Sequence, residues 1–285
     1  ARMTSKNTLQ QRILAYSFIT PALMITLGVV AYPIVNVLIR SFQTDDGYGF
    51  DHYVYLFTNP IALENLFYTL YIVIVTVVVA VAVAYGLAIF MRFSNSGTSK
   101  LIGALYLIPR FIPGLVAVNA MITVIRDSGL INRFSLALFG VDFKPGLMFN
   151  EYGIIMMNLW FNIPFATMLI LAGLSNIPDS MIESARDVGA TRRMLFTKLI
   201  VPLTMKDVMI AATFIFMSNV GSFTTPYLMG STSPQMIGVS LFVQFNNLNY
   251  GYAAALSVVM FLLCSVSAAV YIYTNMRDKA WEKTE

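Results

Sequence analysis

The stretch NLFYTLYIVIVTVVVAVAVAYGLAIFM, residues 65–91, holds no Asp, Glu, Lys or Arg. About 20 mainly apolar residues are enough to carry a helix across a hydrocarbon layer of about 30 Å, so this run predicts a membrane crossing. Residues 13–39 and 152–178 are equally bare, and 101–125 is interrupted only by Arg110. The run 208–276 is too long for one crossing and carries a middle rich in Thr, Ser, Gln, Asn and Pro, 224–251, which divides it into two. Six transmembrane helices result: an all-α, polytopic membrane protein whose residues 1–285 form a single transmembrane domain.

Composition agrees. Hydrophobic residues make up 58% of the chain and charged residues 11%, with a mean hydropathy of +0.72, whereas soluble domains carry roughly 25% charged residues. The net charge of +4 is too small an excess in so apolar a chain to form a nucleic-acid surface. One cysteine, Cys264, makes no internal disulfide, and one histidine, His52, does not build a zinc or haem site. Ser96-Gly97-Thr98-Ser99-Lys100 lacks the upstream glycine and the Gly-Lys order of a phosphate loop. No metal or cofactor is therefore expected in this chain, and no nucleotide hydrolysis by it.

Sidedness follows from the basic residues, because short loops rich in Lys and Arg stay in the cytoplasm. Arg2, Lys6, Arg12, Arg92, Lys100, Arg186, Arg192, Arg193, Lys198, Lys206, Arg277, Lys279 and Lys283 fall on one side, and only Arg40, Arg126, Arg133 and Lys144 on the other. Both termini are expected in the cytoplasm, with Asp45, Asp46, Asp51, His52 and Glu64 outside. The first span has an apolar run longer than a signal peptide's and reads as an uncleaved anchor. Pro21, Pro33, Pro109, Pro113 and Pro164 fall inside spans, where each removes a backbone hydrogen bond and favours a kink.

Segment 179–207, between the fourth and fifth spans, is the longest cytoplasmic stretch. Pro178 and Asp179 open a helix over 180–188 with Met181, Ile182, Ala185 and Val188 on one apolar face. Gly189 ends it, Thr191 caps a second helix through Phe196 to Ile200, and Pro202 is expected to stop that one. A basic amphipathic segment can rest on anionic lipid. Here Asp179, Glu183, Asp187 and Asp207 balance five basic residues, which suits a protein partner better.

Glu183-Ser184-Ala185, then Gly189, Leu199, Val201 and Pro202 resemble the EAA loop of the binding-protein-dependent ABC importer permeases. That loop reads Glu-Ala-Ala, three residues, Gly, nine residues, Ile, one residue, Leu-Pro, and the spacing matches throughout. Ser184 replaces the first alanine, Leu199 the isoleucine and Val201 the leucine. The likeness extends to Asp51-His52-Tyr53, to Asp127-Ser128-Gly129-Leu130-Ile131-Asn132 and to Asn176-Ile177-Pro178. It implies a type I ABC importer permease fold in a bacterial cytoplasmic (inner) membrane, with a coupling helix between helices 4 and 5. It further implies two ATP-binding cassette subunits that bind ATP and Mg, a second, homologous permease and an extracytoplasmic solute-binding protein. Glu183, Ser184, Ala185, Asp187, Gly189 and Pro202 would then form the ATPase-coupling site: Glu183 as an electrostatic contact, Ala185 as the small residue allowing close approach, Gly189 as the turn.

At about 1.5 Å per residue Arg110 is expected near the midplane, where a charge costs at least about 2.5 to 3.5 kcal/mol and must face a cavity or a partner. Two readings stand: it lines the path and meets an anionic group of the solute, or it pairs with a carboxylate or helix carbonyls at a permease interface. Asn158, Trp160, Asn162 and Asn219 are further path candidates, although such residues also serve as helix-to-helix glue. The uncharged loop 224–251, with Tyr227, Gln235 and Gln244, is expected to dip towards the mouth of the path and meet the binding protein. Residues 221–230 are similar to the polyamine, opine, phosphonate and iron importer permeases more than to the sugar importers, which remain the alternative. An ion-coupled carrier would need an intramembrane carboxylate, and the uncharged runs contain none. A membrane enzyme would need a nucleophile with a base or a metal cluster, which one His and one Cys do not readily supply.

Overall fold

In lipid every backbone amide must find its partner inside the chain, and a helix achieves this locally. The structure, a computed structural model, describes residues 3–44 and 47–279. Arg2, Asp45, Asp46 and Lys283 of the charge pattern lie outside the described residues. Met3–Thr26, a π-helical turn Leu27–Ala31 and Tyr32–Arg40 run on as one helix, α1. A two-stranded hairpin, β1 (Gln43–Thr44) and β2 (Gly47–Tyr48), leads to α2 (Asp51–Thr58) and the long α3 (Pro60–Phe93). Then come α4 (Gly97–Leu105), α5 (Ile108–Phe111), α6 (Gly114–Ile125), α7 (Leu130–Phe139) and α8 (Glu151–Ser175). The short α9 (Asp179–Asp187) precedes α10, in which Arg192–Met194, π-helical Leu195–Ile200 and Val201–Val220 are continuous. Last are α11 (Thr224–Met229), α12 (Ile237–Asn246) and α13 (Tyr250–Lys279).

Six helical passages are long and apolar enough to cross a membrane: Tyr16–Arg40, Pro60–Phe93, Gly114–Phe139, Glu151–Ser175, Arg192–Val220 and Tyr250–Tyr273. The third differs from the single helix expected over 101–125. Pro109 and Pro113 interrupt that stretch, and Ile112, placed before a proline, is extended at φ −85°, ψ 124°. α6 has 12 residues, about 18 Å of helix, too short to cross about 30 Å alone, so this crossing is built from several pieces.

α3, α8, α10 and α13 form the centre, with α8 seated between α3 and α10. The cause is visible on α3, where Ala80, Ala84 and Ala88, at four-residue spacing, are fully buried against Ile170 and Leu174 of α8 and Ala211 and Ile215 of α10. Small residues let backbones approach closely where lipid offers no hydrophobic drive between helices. α1 stands apart, touching chiefly α13, and none of its apolar stretch is buried in this chain.

The passages also run further than the uncharged sequence. Asp207 was expected in a loop outside the spans; it lies inside α10, half-buried, with its carboxylate against Gly173 of α8. The expectation that no span contains a carboxylate is corrected accordingly: a helix continues past its charged residues wherever its backbone bonds persist.

Candidate coupling site and translocation path

α8 ends at Ser175, and Pro178 at φ −65°, ψ 141° redirects the chain into α9. Asp179 in the first turn and Arg186 in the last complement the helix dipole. Arg92, at the end of α3, reaches across to this start: its Nη2 is 2.6 Å from Asp179 Oδ1 and donates to the Ile177 carbonyl at 3.2 Å. Asp179 is well exposed, so the pair contributes at most about 1 kcal/mol and chiefly fixes position. Ile182 is buried in the cluster that holds Leu174, Ile177, Leu195 and Ile200, and Ala185 packs against it. Glu183, Ser184, Arg186 and Asp187 are left facing out.

The turn that ends α9 satisfies its last carbonyls. Gly189, at φ +86°, donates to the Arg186 carbonyl at 2.8 Å, and Ala190 donates to that of Ala185 at 3.0 Å. These are the paired bonds of a left-handed helix stop, for which glycine is preferred. Thr191 Oγ1 then accepts from Met194 N at 3.3 Å and starts α10. Val188 does not join the apolar face as expected. The helix has already unwound there, and its side chain is 86% exposed at the tip. Pro202 does not stop the second helix either. The backbone upstream loosens into a π turn in which Val201 N donates to Phe196 O, and α10 carries on to Val220.

Arg110 sits on the four-residue α5 with its guanidinium 5.0 Å from the ring centroid of Phe165 on α8. Phe165 in turn meets Phe214 of α10 edge-on at 6.1 Å. Arg110 is exposed and forms no ion pair among the described residues. Trp160 is exposed too. The three asparagines are turned inward: Asn162 Nδ2 donates to the Asn158 carbonyl at 2.7 Å and lies 3.4 Å from Asn219 Oδ1, while Asn219 Nδ2 donates to the Ile215 carbonyl at 2.7 Å. They tie α8 to α10 in this conformation, and Asn158 Nδ2 is buried without a partner.

Segment 224–251 folds back on the bundle through two side chains that sequence reasoning missed. Asn65 Oδ1 accepts from Gln235 N at 2.8 Å, and Thr69 Oγ1, one turn along α3, accepts from Ile237 N at 2.9 Å. Irregular backbone is thereby satisfied by protein. The only sequence signal was two polar residues at i and i+4 in an otherwise apolar run. Tyr227 is exposed and stacks on Phe223 at 4.9 Å, with Phe242 beside both. Gln235 is half-buried, and Gln244 Oε1 accepts from Asn249 Nδ2 at 3.3 Å in the turn into α13.

Six helical passages long and apolar enough to cross a membrane, with a short charged helix held at one end of the bundle, describe a polytopic membrane protein. The family follows from comparison with known proteins. Residues 80–277 match the family described as binding-protein-dependent transport system inner membrane component, and the chain belongs to it. It is 24% identical over 249 residues to the spermidine/putrescine transport system permease protein PotB of Escherichia coli K12, covering 85% of this chain and 90% of that one. It is 27% identical over 292 residues to the sulfoquinovosyl glycerol transport system permease protein SmoG of Agrobacterium fabrum C58, covering 95% and 93%. Among solved structures, a chain of a bacterial alginate ABC transporter in complex with alginate pentasaccharide-bound periplasmic protein superposes with a TM-score of 0.82 at 20% identity, covering 95% and 96%. A chain of the MetNI methionine ABC transporter gives 0.55 at 16% identity, covering 75% and 94%. The fold is that of a type I ABC importer permease, in the inner membrane.

Proposed function

We propose that this chain is the non-catalytic permease subunit of an ATP-driven importer, paired with a homologous permease and with two ATPase subunits that bind ATP and Mg. The observation that carries this reading is α9: a nine-residue helix with Ile182 anchored in the bundle, a left-handed stop at Gly189 and an outward charged side. An ATPase pair that closes on such a helix moves α8 and α10 with it, because the helix is joined to both by short turns. Glu183→Lys is expected to leave the complex assembled while uptake and solute-stimulated ATP hydrolysis fall together. Full coupled hydrolysis in an assembled Glu183→Lys complex would remove α9 from the coupling role.

Two substrate classes have support. PotB bears a polyamine name, whereas SmoG and the alginate transporter bear carbohydrate names, alginate being an acidic polysaccharide. Arg110, with the Phe165 ring beside it and no ion pair among the described residues, favours a solute that carries an anion, and Trp160 and Tyr227 offer faces for a sugar ring. The solute reaches the path from an extracytoplasmic binding protein that meets the surface around Tyr227. Uptake of anionic, zwitterionic and cationic solutes by wild type and by Arg110→Gln discriminates: the acidic-carbohydrate reading expects selective loss of anion uptake in an intact complex, and unchanged uptake would take Arg110 out of the path.

A further inference from the structure

The segment Asp127-Ser128-Gly129-Leu130-Ile131-Asn132 has no part in coupling or in the path described above, yet its residues are placed with care. At Gly129 a Cβ would lie 2.7 Å from the carbonyl oxygens of Thr123, Val124 and Arg126, so only glycine lets the chain turn this tightly against the end of α6. Asp127 Oδ1 accepts from Gly146 N at 3.0 Å. Asn132 is buried, and its Nδ2 donates to Asp142 Oδ1 at 2.6 Å and to the Phe143 carbonyl at 2.8 Å. The Asn132 bond, with Lys144 beside it, holds the Asp142 carboxyl below the usual carboxylate range, so it stays ionised. α7 thus buries its asparagine against the protein while its apolar residues stand exposed, Leu136 and Phe139 near the asparagine's side and a broader stripe away from it.

That stripe is Leu130, Ile131, Phe134 and Leu138, within about 100° of one another at 3.6 residues per turn. Phe134 and Leu138 are 63% and 69% exposed. A helix that buries amide and exposes apolar surface is matched to apolar surroundings. Arg126 and Arg133, both exposed, flank the stripe and form no ion pair among the described residues, which complements the phosphates of lipid headgroups. α7 also lies at the bundle end opposite α9, because it leads to the start of α8, whose other end leads into α9. We propose that α7 is an interfacial anchor: its stripe sits among phospholipid acyl chains of the leaflet opposite α9, Arg126 and Arg133 hold headgroup phosphates, and the Gly129 turn aims the helix.

The test uses the assembled transporter with Cys264→Ala as background, in nanodiscs of phosphatidylethanolamine and phosphatidylglycerol, with an environment-sensitive fluorophore on Phe134→Cys, Leu138→Cys or Arg133→Cys. Lipids with a quencher on the acyl chain are expected to quench positions 134 and 138 more than 133, and aqueous iodide to do the reverse. Adding Gly129→Ala is expected to erase the difference, since the new methyl displaces the turn. Iodide quenching at 134 and 138 equal to that at 133 would overturn the anchor. Retained acyl-chain quenching in the Gly129→Ala form would overturn the role of the turn.

Discussion

At Gly173 there is no space for a methyl group. A Cβ built there meets the carboxylate and the Cβ of Asp207, so with this aspartate opposite, only glycine permits the separation of α8 and α10. The contact lies two residues before α8 ends and so close to α9 that it belongs to the same mechanical unit. Gly173→Ala must either turn Asp207 aside or push α10 outward, and overpacking of this kind costs about 1–3 kcal/mol. Thermal unfolding of the purified complex is expected to show that loss, with Gly173→Ala and Asp207→Ala together less damaging than their sum, because the second substitution frees part of the space. Simple additivity would mean that the two side chains do not share the volume. Gly173 did not stand out in the sequence, and Asp207 was read only as a loop charge: a glycine in an apolar run and an aspartate at its edge acquire this meaning only when two helices place them face to face.

Elements differ in how far their sequence reveals them, and the reason is the range of the forces that shape them. α9 was legible because its start and stop are local: a proline, a first-turn aspartate and a glycine 10 positions on, at φ +86°, settle the ends through bonds within a few residues. α3 was legible from the lack of charge alone. By contrast, Pro202 was read as a stop because a proline removes one hydrogen bond, and the helix instead absorbed the loss in a π turn of its own backbone, in which Val201 N reaches back to Phe196 O. The third passage failed in the other direction: two prolines four residues apart broke what hydropathy showed as one helix. Asn65 and Thr69 escaped notice because their partners, Gln235 and Ile237, are remote in sequence. The asparagines of α8 and α10 were legible as polar residues in lipid, but only the structure turns them towards one another.

For the whole molecule, sidedness is written in the distribution of basic residues between its two ends. The end that carries α9 is marked by Arg92, bonded to Asp179, and by Arg186, Arg192, Arg193 and Lys198 around α9 and the start of α10. The opposite end gathers the hairpin, α2 and the start of α13, where His52 Nε2 meets the Gln43 carbonyl at 2.8 Å and Gly251 leaves room for the imidazole. Few basic residues lie there, and the rule that Lys and Arg stay inside predicts α9 in the cytoplasm. The coupling role proposed for α9 expects the same side, where ATP is available. In cells expressing the Cys264→Ala chain, Asn247→Cys is therefore expected to react with a membrane-impermeant maleimide from outside, and Ser184→Cys only after the membrane is opened. Both positions are exposed on the protein surface, so a difference in labelling reports the side of the membrane and not burial. Labelling of Ser184→Cys in intact cells would reverse the orientation, and with it the direction in which the solute meets Tyr227 before α9.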